Sequence, residues 1–259
     1  MEARSSDEFL CYPKNGNVDT TKSRMLFLPA VLSMTAGAVD VIGFLALGVF
    51  TAHITGNLVI LAAHYVTGRF GEIGPILSVP VFMLVLGLVT LAFVAIPTRV
   101  ARRLLLVLQL ILLAAFLGFG VAFGPFQNTD SPMAVFVAML GVAAMAIQNA
   151  VVRLALHGSP STAVMTTNTA QFAVDLARLI RGREQQSDLA QVRHRAKLTL
   201  ASILGFLIGL VLGAVFELHF GLWSLTFPVL LGALAIPLGE AWNDRPRDVR
   251  VLESRSSKV

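Results

Sequence analysis

Apolar positions in this chain come in runs of roughly 20 residues with few charges among them, the length an α-helix needs to cross about 30 Å of hydrocarbon. Six runs meet that test: Leu26 to Leu47, Ile76 to Ile96, Leu104 to Phe123, Met133 to Leu156, Leu198 to Phe216 and Leu222 to Leu238. Two further segments, Gly56 to Val66 and Thr166 to Ile180, are shorter or more polar, and the second carries Asp175 and Arg178. The pattern predicts an all-α, polytopic membrane protein with six spanning helices and two short half-helices.

The short segments resemble each other. TAHITGNLVILAAHYVTG, Thr51 to Gly68, aligns without gaps to TAVMTTNTAQFAVDLARL, Thr162 to Leu179, with Thr51, Ala52, Thr55, Asn57 and Ala62 falling on Thr162, Ala163, Thr166, Asn168 and Ala173. Each copy follows one long apolar run and precedes two more. The chain therefore divides into two repeats, residues 26–124 and 133–239, joined by an external linker at 125–132 and flanked by polar tails at 1–25 and 240–259. Internal repeats of this kind are common in transporter folds; duplication kept only for packing is the plainer alternative.

Composition narrows the class. With 56% hydrophobic and 14% charged residues and a mean hydropathy of +0.76, the chain is far less charged than the roughly one quarter usual in soluble domains. The net charge of +5 comes from basic residues confined to loops and tails, which is a topology signal and not a nucleic-acid footprint. The polar first 25 residues lack the pattern of a cleavable signal peptide. One cysteine, Cys11, allows neither an intrachain disulfide nor a thiolate metal cluster.

Charge placement decides between six spans and eight. If both short segments crossed, Arg99, Arg102, Arg103 and Arg153 would lie opposite the cluster Arg181, Arg183, Arg193, Arg195 and Lys197. If each instead enters and leaves on one side, all of these fall on the cytoplasmic side with both termini, and only Arg69 is misplaced. Three spans per half then give the halves opposite orientations, an inverted repeat.

The polar knots carry the candidate chemistry. Thr55, Gly56 and Asn57, and Thr166, Thr167 and Asn168, are types that cap helix starts or let backbone approach closely. Each is expected to begin a half-helix near the midplane, its positive end pointing to a shared centre between the two knots, with Thr51 and Thr162 also counted as binding candidates. Such a centre favours an anionic or polar solute; the alternative is that the knots cap each other and bind nothing. Asn168, Gln171, Asp175 and Arg178 share one helical face, either lining an aqueous path or anchoring the segment through an Asp175–Arg178 ion pair. Asp40 places a carboxylate inside the first span, where it costs about 2.5 to 3.5 kcal/mol and is expected to face the interior. It is read as a proton-coupling or solute-binding group, with a structural hydrogen bond as the alternative. Gln148 and Asn149 occupy the analogous place in the second half. His53 and His64 read as packing residues, and Gly205, Gly209 and Gly213 as a small-residue stripe that a helix of this chain or of a second copy approaches.

GAVDVIGFLALGVFTAHITGN, followed by AIQNAVVRLALHGSPSTAVMTTNTAQFAVDLARLI, resembles the YoaK family, bacterial membrane proteins classed as a domain of unknown function. The resemblance runs from about Leu26 to Leu238 and rests on Asp40, Gly43, Thr55, Gly56, Asn57, Gln148, Asn149, Thr162, Met165, Thr166 and Asn168; Thr167 stands where the family pattern has glycine. It implies a bacterial inner-membrane protein and transfers no activity.

These readings converge on a secondary transporter or facilitator of a small polar or anionic solute in the lipid bilayer, with Asp40 and Asp175 as proton-coupling candidates. The chain lacks GxxxxGK, HExxH and GxSxG, so no nucleotide, metal or other cofactor and no enzymatic activity is expected. A non-transporting assembly scaffold and a channel are the alternatives.

Overall fold

Long apolar stretches without internal polar breaks satisfy their backbone groups as helices, the form a hydrocarbon environment requires. The computed structural model of the chain describes residues 18–68, 73–156, 159–162, 164–182 and 186–242, and all its regular structure is helical. Eight α-helices follow in order: α1 (Val18–Leu47), α2 (Ile54–Val66), α3 (Ile73–Phe93), α4 (Thr98–Phe123), α5 (Pro132–Ala150), α6 (Met165–Arg181), α7 (Gln186–Phe220) and α8 (Thr226–Glu240). A π-helical turn, Val151–Ala155, extends α5, and a 3₁₀ turn, Gly221–Leu225, precedes α8.

The boundaries differ from the apolar runs mainly at polar ends. α1 begins at Val18 and α7 at Gln186, because helices continue past the apolar stretch into polar turns that water can solvate. α5 starts at a conventional cap, where Ser131 Oγ accepts from the Ala134 N–H at 3.3 Å and Pro132 takes the first helical position. Five stretches are long and apolar enough to cross a membrane: Leu26–Leu47, Ile73–Phe93, Thr98–Phe123, Pro132–Ala155 and the 52-residue Leu189–Glu240. The last contains both α7 and α8, with Gly221 at φ 54 between them, a left-handed conformation that glycine adopts without strain.

Helix directions follow from pairs in contact. A Cβ on Gly205, Gly209 or Gly213 would meet Ala30, Met34 or Ala38 in turn, so α1 and α7 run parallel. Gln148 reaches Leu32 while Gly141 lies against Thr51, just beyond the end of α1, so α5 runs antiparallel to α1. Gln109 meets Gln148 and Arg102 meets Ala155, making α4 antiparallel to α5. Gly232 lies against Leu113 and Gly239 against Leu106, making α8 antiparallel to α4. α7 and α8 therefore run in opposite directions, and the 52-residue stretch makes two passages. The start of α3 lies at the end of α1, with Gly74 against Val49 and the Ile73 N–H donating to Asp130 at 2.8 Å.

The two short helices cover less of the bundle's length than the long ones. The loop before α2 folds back to the depth of Asp40, yet His64, near the other end of α2, shares a cavity wall with Leu47, Gly48 and Asp130. α2 thus returns to the end where α1 finished, helped by Gly48 at φ 70. α6 starts beside Gln148 through Thr162 and carries Asp175 to Arg195, near the opposite end of the bundle. At 13 and 17 residues, these helices reach about 20 and 25 Å, short of the hydrocarbon thickness.

Candidate functional site

The loop between α1 and α2 is tied by two buried side chains. Asp40 Oδ1 accepts from the N–H groups of Ala52 at 2.7 Å and His53 at 3.2 Å, and its Oδ2 lies 2.8 Å from His53 Nδ1. The Asp40 side chain is 4% exposed and that of His53 31%, so the dyad joins the interior to a partly open surface. The carboxylate also sits at the amino end of α2, where the helix presents partial positive charge. Asn57 Oδ1 accepts from the Phe50 N–H at 2.8 Å, and its Nδ2 donates to the Phe50 carbonyl and to Ser78 Oγ, both at 2.8 Å. Ser78 donates onward to the Pro75 carbonyl at 2.7 Å, which fixes α2 to α3.

The second half repeats part of this construction. α2 and α6 begin at residues 54 and 165, and Asn57 and Asn168 each occupy the fourth helical position. Asn168 Nδ2 donates to the Ser161 carbonyl at 2.6 Å, across the same seven-residue interval that separates Asn57 from Phe50. The buried charge is not repeated: Asn149, at the place of Asp40, donates to the Met145 carbonyl of its own helix. Gln148 instead holds the second loop, donating to Thr162 Oγ1 at 3.1 Å and to the Leu32 carbonyl at 2.9 Å while accepting from Gln109 at 2.7 Å.

Several expectations are corrected by this geometry. Thr55 and Thr166 do not cap their helices; the N-cap positions are His53 and Val164, neither of which makes a side-chain cap bond. Thr55, Thr166 and Thr167 lie exposed in the first turns, while the asparagines turn inward. Gly56 is close-packed, since a Cβ there would lie 2.9 Å from the Phe50 ring. The two loops are staggered: eight residues separate Leu32, beside the second, from Asp40, which holds the first, or about 12 Å along α1. Buried Ala36, Val39, Val142 and Met145 fill that interval. Thr51 is buried with its methyl against Gly43 and Gly141, and its hydroxyl has no hydrogen-bond partner among the described residues.

Asp175 takes a different partner from the one its spacing suggested. Arg195 on α7 grips both carboxylate oxygens, Nε at 2.8 Å from Oδ2, and Gln171 donates to Oδ1 at 2.9 Å. Arg195 therefore fills the place expected of Arg178, because α7 passes directly beside α6. Its hydrogen bond holds the Asp175 carboxyl below its ordinary value of 3.8, against burial, which raises it. The glycine stripe is also spoken for: Cβ atoms on Gly205 and Gly209 would lie 2.4 and 2.1 Å from carbonyl oxygens of α1 in the same chain, so it offers nothing to a second copy. Arg69 and Cys11 lie outside the described residues.

Sequence reasoning missed four participants. Ser78 and Gln109 are single polar residues in long apolar runs, a signal of the same kind as Asp40. His53 as the partner of Asp40 and Arg195 as that of Asp175 depend on tertiary contact alone. Among the described residues, no three His, Cys, Asp or Glu side chains cluster as a metal site.

Known proteins bear on this arrangement. Residues 28–237 match the family described as "Protein of unknown function (DUF1275)". The chain belongs to that family. It is 31% identical over 214 residues to "UPF0700 transmembrane protein YoaK" of Bacillus subtilis (strain 168), covering 79% of this chain and 89% of that protein. No solved structure matches. The DUF1275 match begins within α1 and ends within α8, and so includes both short helices and the loops before them.

Proposed function

We propose that this DUF1275 protein is a secondary transporter or facilitator for a small polar or anionic solute, built as an inverted repeat. α1 runs antiparallel to α5 and α4 to α8, which is the relation that helices of equivalent rank take in inverted halves. Helix neighbours exchange in the same way: α1 packs on α7 and on α8 as α5 packs on α3 and on α4, and α2 packs on α3 as α6 does on α7.

The observation that carries the reading is the Asp40–His53 dyad, a carboxylate within a span joined to an imidazole that reaches a partly open surface. A carboxylate and an imidazole in hydrogen-bond contact are the two group types from which proton relays in membrane transporters are built. Asp40 already neutralises the amino end of α2. The amino end of α6 has neutral Gln148 nearby, through Thr162, and exposed Thr166 and Thr167, so a solute anion is matched there, with Gln171 close along the chain. Rocking of one half against the other would expose that end alternately. The reading is non-enzymatic and places the protein in a bacterial inner membrane with both termini and the arginine-rich end facing the cytoplasm.

Flux into proteoliposomes, screened over small carboxylates and polar solutes with and without a pH gradient, tests it. A solute whose uptake follows the gradient in the native protein and loses that dependence in Asp40→Asn is the expected result; background flux for every solute contradicts it. A scaffold reading draws on the internal hydrogen bonds of Asn57 and Asn168, which need no ligand. It is favoured if one stoichiometric partner co-purifies and Asp40→Asn keeps full cellular function.

A further inference from the structure

Where α4 begins and α8 ends, a groove of about 620 Å³ is lined by Arg99, Val100, Arg102, Arg103, Leu104 and Glu240, with Gly239 also on its wall. We propose that this groove binds the phosphate of an anionic glycerophospholipid, independently of any transport activity. Among the described residues, the lining carries three guanidiniums and one carboxylate. Arg102 is 3% exposed and built into the bundle, donating to the carbonyls of Ala155 and Trp242, each at 3.1 Å, and thereby joining the ends of α4, α5 and α8. Arg99 and Arg103 stand one turn apart on the exposed side, and Arg103 Nε lies 3.3 Å from Glu240 Oε1.

The apolar half of the groove selects a lipid over a free anion. Val100 and Leu104 are 50% and 47% exposed, and Ile111 continues their stripe along the membrane at 58%. At 100° per residue these three lie within about 40° of one another around α4, beside the stripe of Arg99 and Arg103. A headgroup phosphate against the arginines therefore leaves its acyl chain along Val100, Leu104 and Ile111. The groove lies at the junction of polar and apolar surface, where basic pockets between helices recognise anionic headgroups.

The test titrates the purified full chain in neutral detergent with phosphatidylglycerol, phosphatidylcholine or inorganic phosphate and follows thermal unfolding. Phosphatidylglycerol is expected to stabilise the protein at concentrations where the other two have no effect. Each exposed arginine contributes about 5-fold in affinity, so Arg99→Gln with Arg103→Gln should weaken the apparent affinity roughly 25-fold, with the shift of each variant read against its own lipid-free unfolding temperature. Arg99→Lys with Arg103→Lys keeps the charge and should keep most of the affinity. Inorganic phosphate matching the lipid, equal affinity in the Gln variant, or equal loss in the Lys and Gln variants would overturn the proposal.

Discussion

The side-chain amide of Asn57 binds both the N–H and the carbonyl of Phe50, seven residues earlier, and so closes the loop that turns the chain back into the bundle. Asn168 closes the second loop more lightly, through the Ser161 carbonyl. Asn57→Ala removes three hydrogen bonds and leaves a backbone N–H and Ser78 without this partner, about 1 to 3 kcal/mol for each unsatisfied group. Its apparent melting temperature should fall by roughly 5 to 10 °C, and by less in Asn168→Ala. Equal shifts, or none, would show that the clasps do not hold the fold.

The α1/α7 seam makes a second expectation. A methyl on Gly209 would lie 2.1 Å from the Met34 carbonyl oxygen, whereas one on Gly87 or Gly118 meets nothing within 4 Å. Gly209→Ala should therefore lower stability by about 1 to 3 kcal/mol or more. Gly87→Ala and Gly118→Ala should be neutral or slightly stabilising. Thermal unfolding of the three variants decides it, and equal behaviour would contradict the close backbone approach.

The Asp175–Arg195 pair makes stability depend on acid. Because the folded carboxyl titrates below its unfolded value, its contribution is fully present above about pH 5 and disappears as pH falls through the folded value. Asp175→Asn should be less stable at pH 7 and show a shallower acid limb below about pH 5. The exchange Asp175→Arg with Arg195→Asp should recover part of the loss at pH 7. An acid profile that the Asn variant leaves unchanged would remove the pair from any role in holding α6 to α7.

The legibility of this fold in its sequence follows from where each signal resides. The six long apolar runs lie in helices because hydrocarbon leaves the backbone no other partner, whereas the polar extensions of α1 and α7 carry no apolar signal. Asp40 announced itself because a carboxylate in an apolar run demands a partner, but His53 and the Ala52 N–H could not be named without coordinates. Thr55 and Thr166 are cap types that do not cap, since residue type specifies a preference and not a position. In both halves the chain starts its helix one or two residues earlier, and the asparagine, not the threonine, turns inward. Helical spacing offers Asp175 either an aqueous path or an ion pair with Arg178; the passage of α7 beside α6, set by contacts with α1 far along the chain, gives it Arg195 as its hydrogen-bonded partner, with Arg178 adding a weaker attraction.

Sided labelling of the two short helices is the most direct test of the inverted arrangement. In a Cys11→Ser background, Thr67→Cys and Arg181→Cys mark the far ends of α2 and α6, both exposed. A membrane-impermeant maleimide applied to right-side-out and inside-out vesicles should modify Thr67→Cys from one face only and Arg181→Cys from the other only. Modification of both from the same face would mean that the short helices cross the bilayer, and the inverted repeat, with the carrier built on it, would be wrong.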